Sequence, residues 1–266
     1  MNRVTTLCFL ASYGLAFALE LLHLWVGRGA ARALALGAAG AGLVAHTAYL
    51  YSRQPPLVWQ FSWMLFVAWV LVVFYLCGAV HHLRQSWGVF VLPLVLGLLG
   101  LGLVFGPPPE DARGLWQQEP HQLWGRVHAV LILLATVGVC VGFLASLMYL
   151  IQAHRLRTKA PPGQGLRLLS LERLEAMNRR ALVLAFPLLT AGMIAGAVLI
   201  ARGSDTVGWT DPRVLGTVIL WLVFGLLLYL RFAVHLRGRQ VAFLTILAFL
   251  MLLGCVVVSH PLAPGD

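Results

Sequence analysis

Eight apolar stretches, each close to the length of a bilayer crossing, fill most of the 266 residues of this chain, and few folds are open to such a sequence. A hydrocarbon core offers no water to backbone N–H and C=O groups, so a spanning segment must bond within itself as a helix or close into a barrel. Runs of about 20 apolar residues read as helices. The spans are Val4–Val26, Arg32–Tyr51, Leu57–Val80, Gly88–Phe105, Val127–Ile151, Ala181–Ala201, Val214–Val234 and Val241–Ser259, with the fourth the shortest. Hydrophobic residues make up 60% of the chain and charged residues 11%, too few polar groups to cover a soluble surface. The expected fold is therefore all-α: a polytopic transmembrane helical bundle of about eight spans, forming one integral membrane domain over residues 1–266. The first span is too long and continuous for the apolar core of a signal peptide, so it is expected to be retained.

A net charge of +10 would point to nucleic acid in a soluble protein. Here orientation explains it, and no nucleic-acid partner is expected. Loops alternate sides, so placing one places all. The segment His154–Arg180 carries Arg155, Arg157, Lys159, Arg167, Arg173, Arg179 and Arg180, which the positive-inside rule assigns to the cytoplasm. Arg28, Arg32, Arg84, Arg231, Arg237 and Arg239 then fall on the same side, leaving only Arg3, Arg53, Arg113, Arg126, Arg202 and Arg213 opposite. Both termini are thus expected outside a multi-pass protein of the cell (inner or plasma) membrane, with the lipid bilayer as its surroundings. In the cytoplasmic segment, Leu171-Glu172-Arg173-Leu174-Glu175 reads as a short amphipathic surface helix.

Lipid excludes polar groups unless they have partners or a task, so the polar groups carry the functional argument. The four cysteines, Cys8, Cys77, Cys140 and Cys255, all lie inside spans and form no CxxC pair, which argues against thiol exchange by this chain. Parity brings His128, His260, Trp209 and Asp211 to the outer face. Neutral imidazoles are good axial ligands for haem iron, and two of them can grip it from opposite sides. Trp209 can stack on a porphyrin, Arg126 and Arg213 can pair with propionates, and Asp211 can orient a ring N–H. Each residue also has a plain structural reading. His and Trp anchor helices at interfaces, and Asp211-Pro212-Arg213 looks like the cap and first turn of the seventh helix. On the inner side Glu20 and His23 share a helix face and can bond each other, and His81, His82 and His235 are interfacial. His46, in the outer half of the second span, reads first as a bundle hydrogen-bond partner. His121 sits in the outer loop with no assigned role. Gly192 and Gly196 on the sixth span, and Gly37, Gly40 and Gly42 on the second, allow close helix approach, and Pro93 and Pro187 are expected to kink their helices.

Several of these stretches resemble a known family. The run from Phe186 to Val198, preceded by Leu171-Glu172-Arg173-Leu174, is similar to the corresponding helix of cytochrome c assembly proteins, the CcsA-, CcmC- and HemX-like group. Asp211-Pro212-Arg213, Trp221 and Arg231 resemble the residues that follow the family's tryptophan-rich loop, in the same register. Trp124-Gly125-Arg126-Val127-His128 resembles the opening of its haem-ligand helix, and His260 stands where the second outer histidine falls. The likeness covers about residues 116–260. It implies a multi-helix membrane bundle that holds or passes haem for covalent attachment to apocytochrome c, with His128 and His260 as outer iron ligands and Trp209 as part of the haem platform. It also implies a second membrane assembly protein and an apocytochrome c as partners. Family members with two haem positions further suggest an inner site at Glu20, His23, His81 and His82. The chain departs from the pattern where Thr210 precedes the aspartate, Val214 replaces an acidic residue and Gly216 replaces a tryptophan. That favours a HemX-like or otherwise divergent member.

The expected function is haem handling in cytochrome c biogenesis, with haem presented between His128 and His260. The chain is expected to be an assembly factor and not an enzyme, because the thiols for attachment must come from a partner. The alternative is a membrane regulator or scaffold acting by protein contact, with the basic segment His154–Arg180 as its docking surface. The topology is tested with single cysteines introduced at positions 128 and 260. Both should react with an impermeant thiol reagent from the same side of sealed membranes; labelling from opposite sides would rule out a shared pocket.

Overall fold

The computed structural model describes residues 2–26, 29–52, 62–81, 85–104, 122–159, 166–201, 210–234, 236 and 238–258. Among them lie eight helices and no strand: α1 (Asn2–Val26), α2 (Gly29–Ser52), α3 (Ser62–His81), α4 (Gly88–Val104), α5 (Gln122–Arg157), α6 (Leu171–Ala201), α7 (Pro212–Phe232) and α8 (Gly238–Val258). Each coincides with one of the apolar stretches. Six hold apolar runs long enough to cross a membrane, while α4 and the apolar part of α8, Gly238–Gly254, are shorter. At a rise of 1.5 Å per residue, α4 reaches about 26 Å against a hydrocarbon core roughly 30 Å thick. The chain is a polytopic helical membrane protein.

Helix limits follow from capping chemistry. Ser170 opens α6, its carbonyl accepting from Leu174 N at 3.0 Å and its hydroxyl from Arg173 N at 3.4 Å. Asp211 opens α7 by accepting Leu215 N at 3.1 Å, with Pro212 in the first helical position where its missing N–H costs nothing. Lys159 closes α5 with a left-handed φ of 50°. The residues Leu171–Glu175 do not form a separate surface helix. They are the first turns of α6, because nothing between Glu175 and Phe186 breaks a helix. Pro93 and Pro187 both sit inside continuous helices.

Packing divides the chain into two compact units, each built on four helices. Unit 1 comprises residues 1–117 with 159–169 and holds α1 to α4, where α1 lies against α2 and α4, and α3 against α2 and α4. Tyr13 is fully buried over Gly42, where a side chain would come within 2.7 Å of its ring. Gly37 and Gly40 face open space instead. Unit 2 comprises residues 118–158 with 170–266 and holds α5 to α8. Its spine is the antiparallel pair α5–α6. Gly138 lies against Ala185, Gly142 against Leu182, Gly192 against Ile132 and Gly196 against His128. Small residues let two backbones approach where lipid supplies no hydrophobic drive to bring helices together. α8 also packs on α5, with the rings of Phe143 and Phe249 stacked at 4.1 Å. α7 rests on α6 and α8 through Leu220, Phe224 and Leu227, and turns Leu215, Ile219, Leu222, Leu226 and Tyr229 outward. That outward apolar stripe suits contact with lipid.

The approach nearest to a neighbouring backbone gives the test. A Cβ on Gly138 would stand 2.9 Å from Ala185 Cβ and 3.2 Å from the Ala181 carbonyl, and backbone cannot yield as a side-chain tip can. Gly138→Val should therefore cost about 1–3 kcal/mol by overpacking, seen as a lower midpoint of thermal unfolding in detergent. Gly97→Val, where a Cβ meets open space, should be close to neutral in that measurement.

Candidate functional site

His128 is the best-defined of the expected site residues. It stands on the second turn of α5, half-buried against α6, with Nδ1 2.7 Å from the Gly192 carbonyl oxygen. A carbonyl can only accept, so Nδ1 carries the proton. In the neutral ring the lone pair then lies on Nε2. A Cβ built on Gly196 would be 3.0 Å from His128 Cε1 and Nδ1 and 3.9 Å from Nε2, so the Nδ1–Cε1 edge is the part of the ring nearest Gly196. A backbone carbonyl on one ring nitrogen and a bare donor on the other is the arrangement expected of an imidazole metal ligand. His128 thus fits haem iron as an axial donor.

Asp211 caps α7, as its plain structural reading expects, and is partly exposed. Arg126 is exposed on α5, two residues before His128. Arg213 lies in the first turn of α7, and its side chain is outside the described structure, as are His260, Trp209, His82, His121 and His235 altogether. The register of α5 against α8 can be followed to its end. Gly142 meets Thr245 at 3.5 Å, His128 lies about 21 Å before Gly142, and Val258 lies about 20 Å beyond Thr245. The beginning of α5 and the end of α8 therefore reach the same end of unit 2.

At the other end of unit 2 the structure assembles a polar network that the sequence reading missed. Asn178 is buried where α5, α6, α7 and α8 converge. Its Nδ2 shares two protons among Ser146 Oγ (2.8 Å), Gly142 O (3.1 Å) and Thr245 Oγ1 (3.3 Å), and its Oδ1 accepts from Arg231 Nη1 at 2.9 Å. The two hydroxyls give their own protons to Gly142 O and Val241 O on their own helices, so they meet Asn178 with lone pairs, which fixes the orientation of its amide. Arg231 Nη2 also reaches Glu175 O at 3.3 Å and Oε1 at 3.4 Å. The cavity beside them, bordered by Tyr149, Glu175, Arg231 and Gly238, is about 10 Å³, room for one water and no more. This is a fastening and not a ligand pocket. A sequence signal existed: Leu174, Asn178, Leu182, Ala185 and Leu189 form one buried stripe on α6, so helical periodicity places Asn178 inside.

Two residues of the resemblance, Trp221 and Arg231, have structural work. Trp221 Nε1 donates to Thr190 Oγ1 at 2.8 Å and its ring stacks on Phe186 at 5.7 Å, tying α7 to α6 as Arg231 does farther along.

In unit 1, Glu20 is buried and accepts from Tyr75 of α3 at 2.6 Å through Oε1, while Oε2 has no hydrogen-bond partner. Its carboxyl fills the space left by Gly88, where a Cβ would lie 2.7 Å from Glu20 Cδ. His23 is half-buried on the next turn. His81 is exposed and bonds Cys77 O on its own helix at 2.9 Å, with the ring nitrogen donating. Among the described residues no three His, Cys, Asp or Glu gather as a metal site. His46 is a bundle partner: it is fully buried, stacks on Phe9 at 4.5 Å and lies 3.3 Å from the Tyr13 hydroxyl. Cys140 is buried, whereas Cys8 and Cys77 are exposed.

The pattern of one family, described as Cytochrome C assembly protein, matches residues 57–262 and so extends well ahead of residue 116. Protein HemX of Bacillus subtilis (strain 168) is 27% identical, over 71% of this chain and 68% of its own length. Cytochrome c biogenesis protein CcsA of Synechococcus sp. (strain JA-2-3B'a(2-13)) is 28% identical, over 79% and 76%. The CcsA of Gloeobacter violaceus (strain ATCC 29082 / PCC 7421) is 23% identical, over 81% and 80%. No solved structure matches the chain.

The network makes a graded prediction. Asn178→Leu removes an acceptor from a guanidinium only 8% exposed and should cost about 1–3 kcal/mol. Glu175→Gln breaks a looser ion pair whose carboxylate is 45% exposed, and should cost less than about 1 kcal/mol. Thermal unfolding of the two variants side by side checks the order.

Proposed function

The chain belongs to the cytochrome c assembly protein family and acts in cytochrome c biogenesis; on that premise we propose that it handles haem, holding it at the end of unit 2 where α5 begins and α8 finishes. The observation that carries the reading is His128, its Nδ1 tied to Gly192 O so that the lone pair of the neutral ring lies on Nε2. The shared level of the two helix ends supports His260, two residues past Val258, as the second axial ligand. Trp209 would stack on the porphyrin face, and Arg126 and Arg213 would meet the propionates. Asp211 would hold the adjoining turn. By the charge asymmetry of the loops this end faces outward from the cell membrane, where an apocytochrome c receives haem.

In this reading haem is cargo. Its vinyl groups are the atoms to which thiols of an apocytochrome add, and the cysteines of this chain, all within apolar spans, are not placed to compete for them. What the chain contributes is position: it binds, orients and shields the ring, with a second membrane assembly protein and the apocytochrome as partners. The inner site at Glu20, His23, His81 and His82 is a weaker companion proposal, since Glu20 already serves Tyr75 and His81 turns back on its own helix.

A second reading, a HemX-like regulator or scaffold without attachment chemistry, is favoured by the likeness to HemX and by Thr210 in place of a tryptophan. Its proposed docking segment cannot be excised to test it, because residues 171–180 are the start of α6 and include Asn178. Spectroscopy separates the two. Protein purified from haem-replete membranes should show the spectrum of low-spin iron held by two histidines. His128→Ala should lose it, and His128→Gly should regain it with added imidazole. A colourless wild-type protein would sink the haem reading and leave the scaffold.

A further inference from the structure

Gly192 and Gly196 do different things to the same imidazole. Gly192 offers its carbonyl oxygen at 2.7 Å, using a lone pair that its own helix leaves available. Gly196, one turn on, offers only the absence of a side chain. A Cβ there would stand 3.0 Å from His128 Cε1 and Nδ1, tighter than such contacts normally are, so the Nδ1–Cε1 edge of the ring would have to give way to any side chain at this position. At Gly192 a Cβ would instead meet Ile132, 2.7 Å from Cδ1 and 3.0 Å from Cγ1. The carbonyl and the notch lie one helical turn apart on the same face, opposite His128 and Ile132, which are spaced the same way on α5.

We propose that Gly196 is a positioning residue for His128: with the Gly192 carbonyl it forms a seat that fixes the proton on Nδ1 and presents Nε2 as the only ligating atom. The spacing of the two glycines follows from this. A pair serving helix approach alone would meet two aliphatic side chains, as Gly142 meets Thr245, Leu182 and Ala181 through carbon atoms only. One aliphatic and one imidazole neighbour is the mark of a seat. Without it the ring is free to rotate about its bond to Cβ, protonate on Nε2 and turn the lone pair inward. The seat is a property of the protein without haem; its use in ligation rests on the proposed function.

The test reads tautomer and ligation separately. Haem-free protein carrying ¹⁵N-labelled histidine is compared with His128→Gln in the imidazole region of the solid-state NMR spectrum, which isolates the His128 signals. The expected result is a protonated Nδ1 and an unprotonated Nε2 in the wild type, with that population falling in Gly196→Ala and unchanged in Gly142→Ala, a glycine of the same interface where a Cβ meets its neighbours at 3.5–3.8 Å. Alanine is the better helix former, so loss in Gly196→Ala cannot be laid to a weakened helix. Haem titration of the same proteins should show affinity falling about 10–100-fold for Gly196→Ala, the usual effect of disturbing the partner of a metal-bound histidine, and little change for Gly142→Ala. A wild-type ring protonated on Nε2, or an unaltered NMR spectrum in Gly196→Ala, would overturn the seat whatever the haem result. The expected tautomer in a protein that takes up no haem would uphold the seat and overturn the haem reading instead.

Discussion

Every polar side chain inside these spans must find its partner within the protein, because hydrocarbon supplies none. The hydroxyls show the common solution. Ser12, Thr47, Thr136, Ser146, Thr190 and Thr245 each donate to a carbonyl four residues back on their own helix. With the proton committed, the oxygen has only lone pairs left, and it becomes an acceptor for a neighbouring helix. Trp69 uses Thr47 in this way, Trp221 uses Thr190, and Asn178 uses Ser146 and Thr245. Helix contacts thereby gain direction as well as closeness, since an indole N–H or an amide fits a hydroxyl in one rotation of the helix and not in others.

The α5–α6 pair carries the same logic into the proposed site. Its glycines and alanines bring the two backbones close enough for side chains of one helix to reach carbonyls of the other. Asn178 reaches Gly142 O from α6, and His128 reaches Gly192 O from α5. One interface thus holds a structural amide at one end and the candidate ligand at the other. The polar groups of unit 1 are met more sparely, with Glu20 and His46 each keeping one buried atom without a partner.

Much of the fold was legible because lipid forces it: length and hydropathy mark each helix, and capping residues mark where α6 and α7 begin. Partners across helices were not. Glu20 and His23 share a face, so a local bond was the natural expectation, yet the carboxylate bonds Tyr75, 55 residues away. No periodicity in the sequence points from one to the other. His128 could be singled out as a donor from its place at the start of a span, but its tautomer depends on a carbonyl, and a main-chain oxygen has no letter in a sequence. Trp221 and Arg231 stood in a family register that could not separate chemistry from architecture. The Thr190 and Asn178 contacts place both with architecture, while His260 and Trp209 lie outside the described residues.

α7 is fastened unevenly. Arg231 ties one extremity to Asn178 and Glu175, Trp221 ties the middle to Thr190, and from Val214 to Ile219 no residue is buried. Burial is one part of what local opening must break, and along this helix it declines from Leu220, Phe224 and Leu227 toward Asp211. Amide exchange along the helix would record that gradient in burial residue by residue.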